Sequence, residues 1–160
     1  MLCSSATLAT LDTPFTTGQL TSITIGADGL GLIGYSDATG QDLEVAHCSN
    51  VACSSATVTS LDTLGNVGQG ISITIGRDGL GLISYYDVSN QDLKVAHCSN
   101  PACSSATLTV VDSAGNVGQS TSITIGADGQ ALISYLDSGS ADLKAAHCSN
   151  PLCQPFVRRR

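Results

Sequence analysis

The chain has no tryptophan and one methionine, and aromatic residues make up only 4% of its 160 positions. A core here cannot be built around large rings and must come from many aliphatic contacts. Basic residues are scarce as well. Six Lys and Arg stand against thirteen Asp and Glu, for a net charge of −7. That balance argues against a nucleic-acid or anionic-membrane partner, either of which needs a positive face. The one basic run, Arg158-Arg159-Arg160, reads as a solvated tail. No stretch reaches the run of about 18 apolar residues that a membrane span requires. The opening "MLCSSATLAT" lacks the basic start and apolar stretch of a signal peptide. No segment carries sustained helical periodicity. Glu44 is the sole glutamate. Absent too are the G-x-S-x-G elbow, the P-loop, G-x-G-x-x-G, H-E-x-x-H and an EF-hand loop, so no familiar catalytic, nucleotide or metal motif is on offer.

What is present is a repeat. "SITIGADGLGLIGYSDATGQDLEVAHCSN" begins at Ser22, and near-copies begin at Ser72 and Ser122, a period of fifty residues without a gap. Each copy is preceded by a segment of the type "CSSATLTVVDSAGNVGQ". One unit divides into four short strands. "SITIG" (72–76) is rich in Ile and Thr, and Asp78-Gly79 supplies a tight turn because Gly tolerates positive φ. "GLISYYD" (81–87), "DLKVAHCS" (92–99) and "SSATLTVVD" (104–112) are the second, third and fourth strands. Apolar residues fall on both faces of several strands, as at Leu82 with Ile83 and Val110 with Val111. Strands covered on both sides suit sheets packed face to face.

Four strands in about 40–50 residues, repeated, is the arithmetic of β-propeller blades. The fold class is therefore all-β, with tandem four-stranded antiparallel blades. A β-trefoil, also three four-stranded repeats in one compact domain, is the alternative. The organisation is a single repeat domain. Residues 1–21 hold a leading fourth strand and connection, with blades at 22–71 and 72–121. An incomplete third blade spans 122–153, and a tail spans 154–160. The wording "VGQGISITIGRDGLGLISYYDVSNQDLKVAH" resembles the blade repeats of bacterial sialidase-like propellers related to the Asp-box proteins. That resemblance implies a propeller fold and covers nearly the whole chain.

His and Cys recur together. Cys48 and Cys53, Cys98 and Cys103, and Cys148 and Cys153 form three C-x4-C pairs where the third strand turns into the fourth. Cross-strand hairpin neighbours lie about 4.5–5.5 Å apart, within reach of a disulfide. We therefore expect three intrachain disulfides and an oxidising, extracellular or periplasmic location. Metal is the competing reading, but adjacent His97 and Cys98 point to opposite faces of a strand, so no metal site and no cofactor are expected. His47, His97 and His147 read as partly buried strand residues between blades. Cys3 occupies the register of Cys53 without a partner before it, and is expected to be a free or intermolecular thiol.

The acids recur by position. Asp28, Asp78 and Asp128 belong to Asp-Gly turns, and Asp12, Asp62 and Asp112 end fourth strands. Asp37, Asp42, Asp87, Asp92, Asp137 and Asp142 flank the second-to-third strand turns, on the face where the blade-to-blade connections also open. They are the candidate ligand-face acids, with a solvated loop face as the alternative. A sialidase needs an arginine cluster, and this chain offers Arg77 and the tail alone. The sequence thus points to a non-catalytic extracellular propeller module for glycan or protein recognition, or a structural scaffold. A sialidase-like glycoside hydrolase fragment is the alternative. Three blades are few for a ring. The leading strand, 4–12, matches the strand the last blade lacks, so a homodimer closing a six-bladed ring is expected.

Overall fold

A computed structural model of the chain describes residues 6–13 and 17–154. Among these residues there are eleven strands and no helix. β1 (Gln19–Ile25), β2 (Gly31–Asp37), β3 (Asp42–Cys48) and β4 (Ala56–Asp62) form one antiparallel sheet in that order. β5 (Gln69–Ile75), β6 (Gly81–Asp87), β7 (Asp92–Cys98) and β8 (Ala106–Asp112) form the second. β9 (Val117–Ile125), β10 (Ala131–Asp137) and β11 (Asp142–His147) form a third sheet of three strands. Every strand pairs within its own repeat. A trefoil needs strands of all three repeats in one barrel, so that alternative is set aside. The sheets touch mainly through their first strands, β1 on β5 and β5 on β9, and splay apart at their fourth. This is the fan of propeller blades, and no sheet closes on itself among the described residues.

Sequence chemistry accounts for the turns. In each first hairpin the Asp side chain accepts from the backbone N–H two residues on, as Asp78 Oδ1 does from Leu80 at 3.1 Å. Gly79 at φ 80° then turns the chain in a conformation other residues resist. The sheet's first strand starts earlier than its Ile/Thr pattern indicates, at Gln19, Gln69 and Val117. The reason is a bulge. Pairing shifts register between Gln69 and Ser72, and Leu20, Gly70 and Ser120 stand at φ 50°, 58° and 51°. An extra residue breaks the two-residue alternation by which a strand is read.

The core lies between blades. Leu32, Leu43 and Val45 of the first sheet bury against Ile71, Ile73, Ile83 and Tyr85 of the second. Leu82, Leu93 and Val95 of the second bury against Ile123, Ile133 and Tyr135 of the third. β6, sandwiched on both sides, is buried along its whole length, whereas β10 alternates because one of its faces has no neighbour. Truncating a fully buried leucine such as Leu93 to Ala should cost about 3 kcal/mol. Close approach of connection and blade demands glycine at 118. A Cβ there would lie 2.6 Å from Leu93 Cα.

Residues 6–13 lie outside every strand. The leading strand expected over 4–12 is thus not formed within one chain over its described part, because no neighbouring strand offers it hydrogen bonds. Cys3 lies outside the described residues.

Candidate functional site

The disulfides sit at one end of each blade. Cys48–Cys53, Cys98–Cys103 and Cys148–Cys153 are joined, with Cα separations of 4.9, 4.8 and 4.7 Å. At the same end each histidine meets an aspartate of its own blade. His47 Nε2 lies 2.8 Å from Asp28, His97 2.7 Å from Asp78 and His147 2.7 Å from Asp128. The histidines tie the third strand to the first hairpin turn within a blade; His47 and His97 are largely buried, and His147, on the last blade, is more exposed. The turn's own Leu30 N–H comes first in holding the Asp28 carboxyl below the usual range, burial opposes it, and His47 adds to the lowering. Constant Asp-to-His spacing was the signal available. Among the described residues no group of three or more His, Cys, Asp or Glu is placed to hold a metal.

The opposite end carries the six candidate acids. They form three cross-strand pairs, Asp37 with Asp42, Asp87 with Asp92 and Asp137 with Asp142. The connections run over the same end. Val67 donates to Gln41 O at 2.8 Å, and Val88 donates to Asn66 O at 2.9 Å, so a connection laces its own blade's turn to the next. The first acid of each pair caps its turn. Asp37 accepts from Thr39 N and Gly40 N, Asp87 from Asn90 N, and Asp137 from Gly139 N and Ser140 N. Burial, then the neighbouring Asp87, pushes the Asp92 carboxyl up despite Lys94 nearby, and Asp42 is raised in the same way by burial and Asp37.

A third set of acids crosses between blades. Tyr85 Oη donates to Asp62 at 2.7 Å, and Lys94 Nζ donates to the same carboxylate. One repeat on, Tyr135 and Lys144 reach Asp112 at 2.7 and 2.6 Å. In the first blade Tyr35 reaches Asp12 at 2.8 Å, but the lysine position is Glu44, which accepts from Ser60. Burial alone would raise the Asp62 carboxyl. Lys94, Tyr85 and Leu64 N–H outweigh it and hold the group below the usual range. Sequence reading assigned these acids to strand ends and missed the contact, although the Asp–Tyr–Lys spacing is constant in two copies.

Near the first-strand bulges, where the blades converge, the surface is hollow. A cleft of about 390 Å³ is lined by Leu20, Gln69, Gly70, Tyr86, Val88, Gln119 and Ser120. An adjoining hollow of about 320 Å³ shares Leu20, Gly70 and Ser120. Tyr86 Oη donates to Asn116 Oδ1 at 2.7 Å, and Gln119 Nε2 donates to that atom at 3.4 Å. The cleft is thus framed by an aromatic ring, two amides and a hydroxyl, with no charged group in its lining. Leu20 comes from the first blade, Gln69, Gly70, Tyr86 and Val88 from the second, and Gln119 and Ser120 from the third, so the cleft lies where the three blades converge, and the repeat writes Ser36 and Leu136 at the tyrosine's position. Another hollow, of about 420 Å³, lies against Asp12, Ile23, Ile33 and Tyr35. Its repeat equivalents Ile73, Ile83 and Tyr85 are buried by a neighbouring blade, so it is an uncovered blade face rather than a built pocket.

No family model matches the chain, and no curated protein matches it. Solved structures do. An α-L-arabinofuranosidase from Clostridium thermocellum superposes with a TM-score of 0.57 at 14% identity, covering 82% of this chain and 47% of that one. An α-L-arabinofuranosidase from Lactobacillus brevis gives 0.52 at 12%, over 84% and 50%. An endo-arabinase from Bacteroides thetaiotaomicron gives 0.51 at 12%, over 87% and 56%. The chain spans about half the length of these structures. At such identity the likeness is one of fold alone, that of β-propellers. The chain folds as blades of a β-propeller.

Proposed function

We propose that the chain is a non-catalytic propeller module that recognises a neutral carbohydrate in the cleft where its three blades converge, beside Tyr86 and Gln119. The observation that carries this reading is the lining itself. Gln69, Gln119 and Ser120 present amide and hydroxyl groups beside Tyr86, Val88 and Leu20. Sugars present hydroxyls on their edges and C–H groups on their faces, and such a mixed wall meets both. A charged ligand would leave its charge unpaired there. Asp37, Asp87 and Asp137 cap turns, Asp28, Asp78 and Asp128 hold histidines, and Asp12, Asp62 and Asp112 serve the blade junctions. The solved structures of similar fold include an α-L-arabinofuranosidase, an exo-β-1,3-galactanase and an endo-arabinase, so arabino- and galacto-oligosaccharides are the first probes to try. The three disulfides favour an oxidising, extracellular or periplasmic setting.

Calorimetric titration with arabino- and galacto-oligosaccharides should show saturable binding that Gln119→Ala weakens about five- to tenfold, the worth of one hydrogen bond. Failure of every such sugar to bind overturns the reading. A second reading, glycoside hydrolysis, draws on two carboxylates near Tyr35: Asp12, which accepts from its hydroxyl at 2.8 Å, and Glu44, its partner across the β2–β3 pair. Turnover of an aryl glycoside that is abolished by Glu44→Gln would establish it in place of the first.

A further inference from the structure

Two blade faces of this chain are bare, although the same faces are covered wherever the repeat continues. On the third sheet Leu132 is 41% exposed and Leu143 84% exposed, while their equivalents Leu32, Leu82, Leu43 and Leu93 are at 2% or less. On the first sheet Ile23 is 62% exposed, while Ile73 and Ile123 are at 7%. Leu32 and Leu43 bury against Ile73, and Leu82 and Leu93 against Ile123. The bare leucines and the bare isoleucine are therefore the two halves of a junction that the chain builds twice within itself.

We propose that a second copy of this chain covers both faces, front to back. Two chains then close a six-bladed ring, in which residues 6–12 of each copy form the fourth strand of the other's third blade. The chain's own junctions supply the template. Ile73 N–H donates to Ser22 Oγ at 3.2 Å and Ile123 N–H to Ser72 Oγ at 3.1 Å. Continued once more, Ser122 of one copy receives Ile23 N–H of the other. The strand exchange has its own support. Among the described residues nothing pairs with the outer edge of β11. Residues 6–13 lie outside every sheet, yet Asp12 already holds Tyr35 as Asp62 holds Tyr85. The segment thus ends where the fourth strand of a preceding blade would end. Leu8 is 91% exposed, whereas its equivalent Leu108 packs on the core. Carrying the β7–β8 register forward sets Leu8 opposite Ala146 and Asp12 opposite Leu143 of the other copy. An unrelated partner would have to reproduce this register and both apolar faces, which a second copy brings ready-made. Two identical front-to-back contacts close under a two-fold axis, six blades lie within the usual range of about four to eight, and free strand edges disappear. The proposal is independent of the sugar cleft, which lies wholly inside one chain.

Sedimentation equilibrium of the full chain at micromolar concentration should return twice its 16.2 kDa mass. Leu143→Arg and Leu8→Glu alter side chains that are exposed in a single chain, so each should fold with its disulfides formed. Each should raise the dimer dissociation constant about a hundredfold or more. Leu8→Glu lies outside every sheet and keeps the test open should Leu143→Arg misfold. A single-chain mass for the unaltered protein overturns the proposal. So does a dimer indifferent to both changes, and so does growth beyond two chains, which would mean open stacking without closure.

Discussion

Removing the Asp62 side chain should loosen the junction of the first two blades more than any other single change to an acid. Asp62 has no solvent exposure on its side chain, and Lys94 retains 12%. Asp62→Ala strands the buried Tyr85 hydroxyl and takes from Lys94 its nearest counter-charge. Breaking a buried ion pair by deleting one partner costs about 3–5 kcal/mol. Lys94 keeps Asp87 at 3.5 Å, which offsets part of that loss. An expected cost of about 3 kcal/mol lowers the melting midpoint by about 6–12 °C for a chain of this size. The assay is equilibrium unfolding in urea followed by circular dichroism, combined with Tyr85→Phe in a double-mutant cycle. Coupling between the two sites should be at least about 1 kcal/mol. The pH dependence has a definite sign. The folded carboxyl lies below its unfolded value, so its stabilisation is complete above about pH 4. It is lost as pH falls through the depressed folded value, and Asp62→Ala should abolish that acid-side loss. A variant within about 0.5 kcal/mol of the parent, the size of an ordinary surface change, would refute the assignment of this contact as a blade clasp.

Asp92→Asn should act in the opposite sense. A carboxyl raised by burial and Asp87 is a penalty while ionised, so the variant gains stability at pH 7. That gain should vanish near pH 3, as melting curves across pH will show. Glu44→Lys gives the first blade the lysine that the other two carry, and should raise the melting midpoint by pairing with Asp12; an unchanged or lower midpoint counts against the clasp as a repeated device. Replacing Cys98 and Cys103 together by Ser should cost about 2 kcal/mol, the chain-entropy value for so short a loop. Non-reducing peptide mapping of the parent should return the three C-x4-C links.

Much of the architecture was legible because the repeat states it three times. The second and third strands were bounded by Asp-Gly and Ser-Asn turns, and β6 and β7 fall where the pattern places them. The C-x4-C pairs announced their own hairpins. What was hidden depends on contacts between distant residues. The bulges at Leu20, Gly70 and Ser120 break alternation and conceal the first residues of β1, β5 and β9. The Asp62–Tyr85–Lys94 clasp joins side chains from two blades, and periodicity along one strand says nothing of it. Partial burial of the histidines is legible from their apolar strand neighbours, whereas the turn aspartate of the same blade that each one meets is not. The cleft is not legible in the sequence because its lining comes from three blades and only its glutamines recur in every copy. Tyr86, against Ser36 and Leu136, acquires meaning only beside Asn116 and Gln119.

The central claim is that a neutral sugar sits against Tyr86 and Gln119. Isothermal titration of the parent and of the Tyr86→Phe, Gln119→Ala double variant with the same neutral oligosaccharides tests it most directly. The account predicts saturable binding to the parent and at least about a tenfold weaker affinity in the variant, whose fold and disulfides persist. Equal affinity in both, or heat from neither, would contradict it.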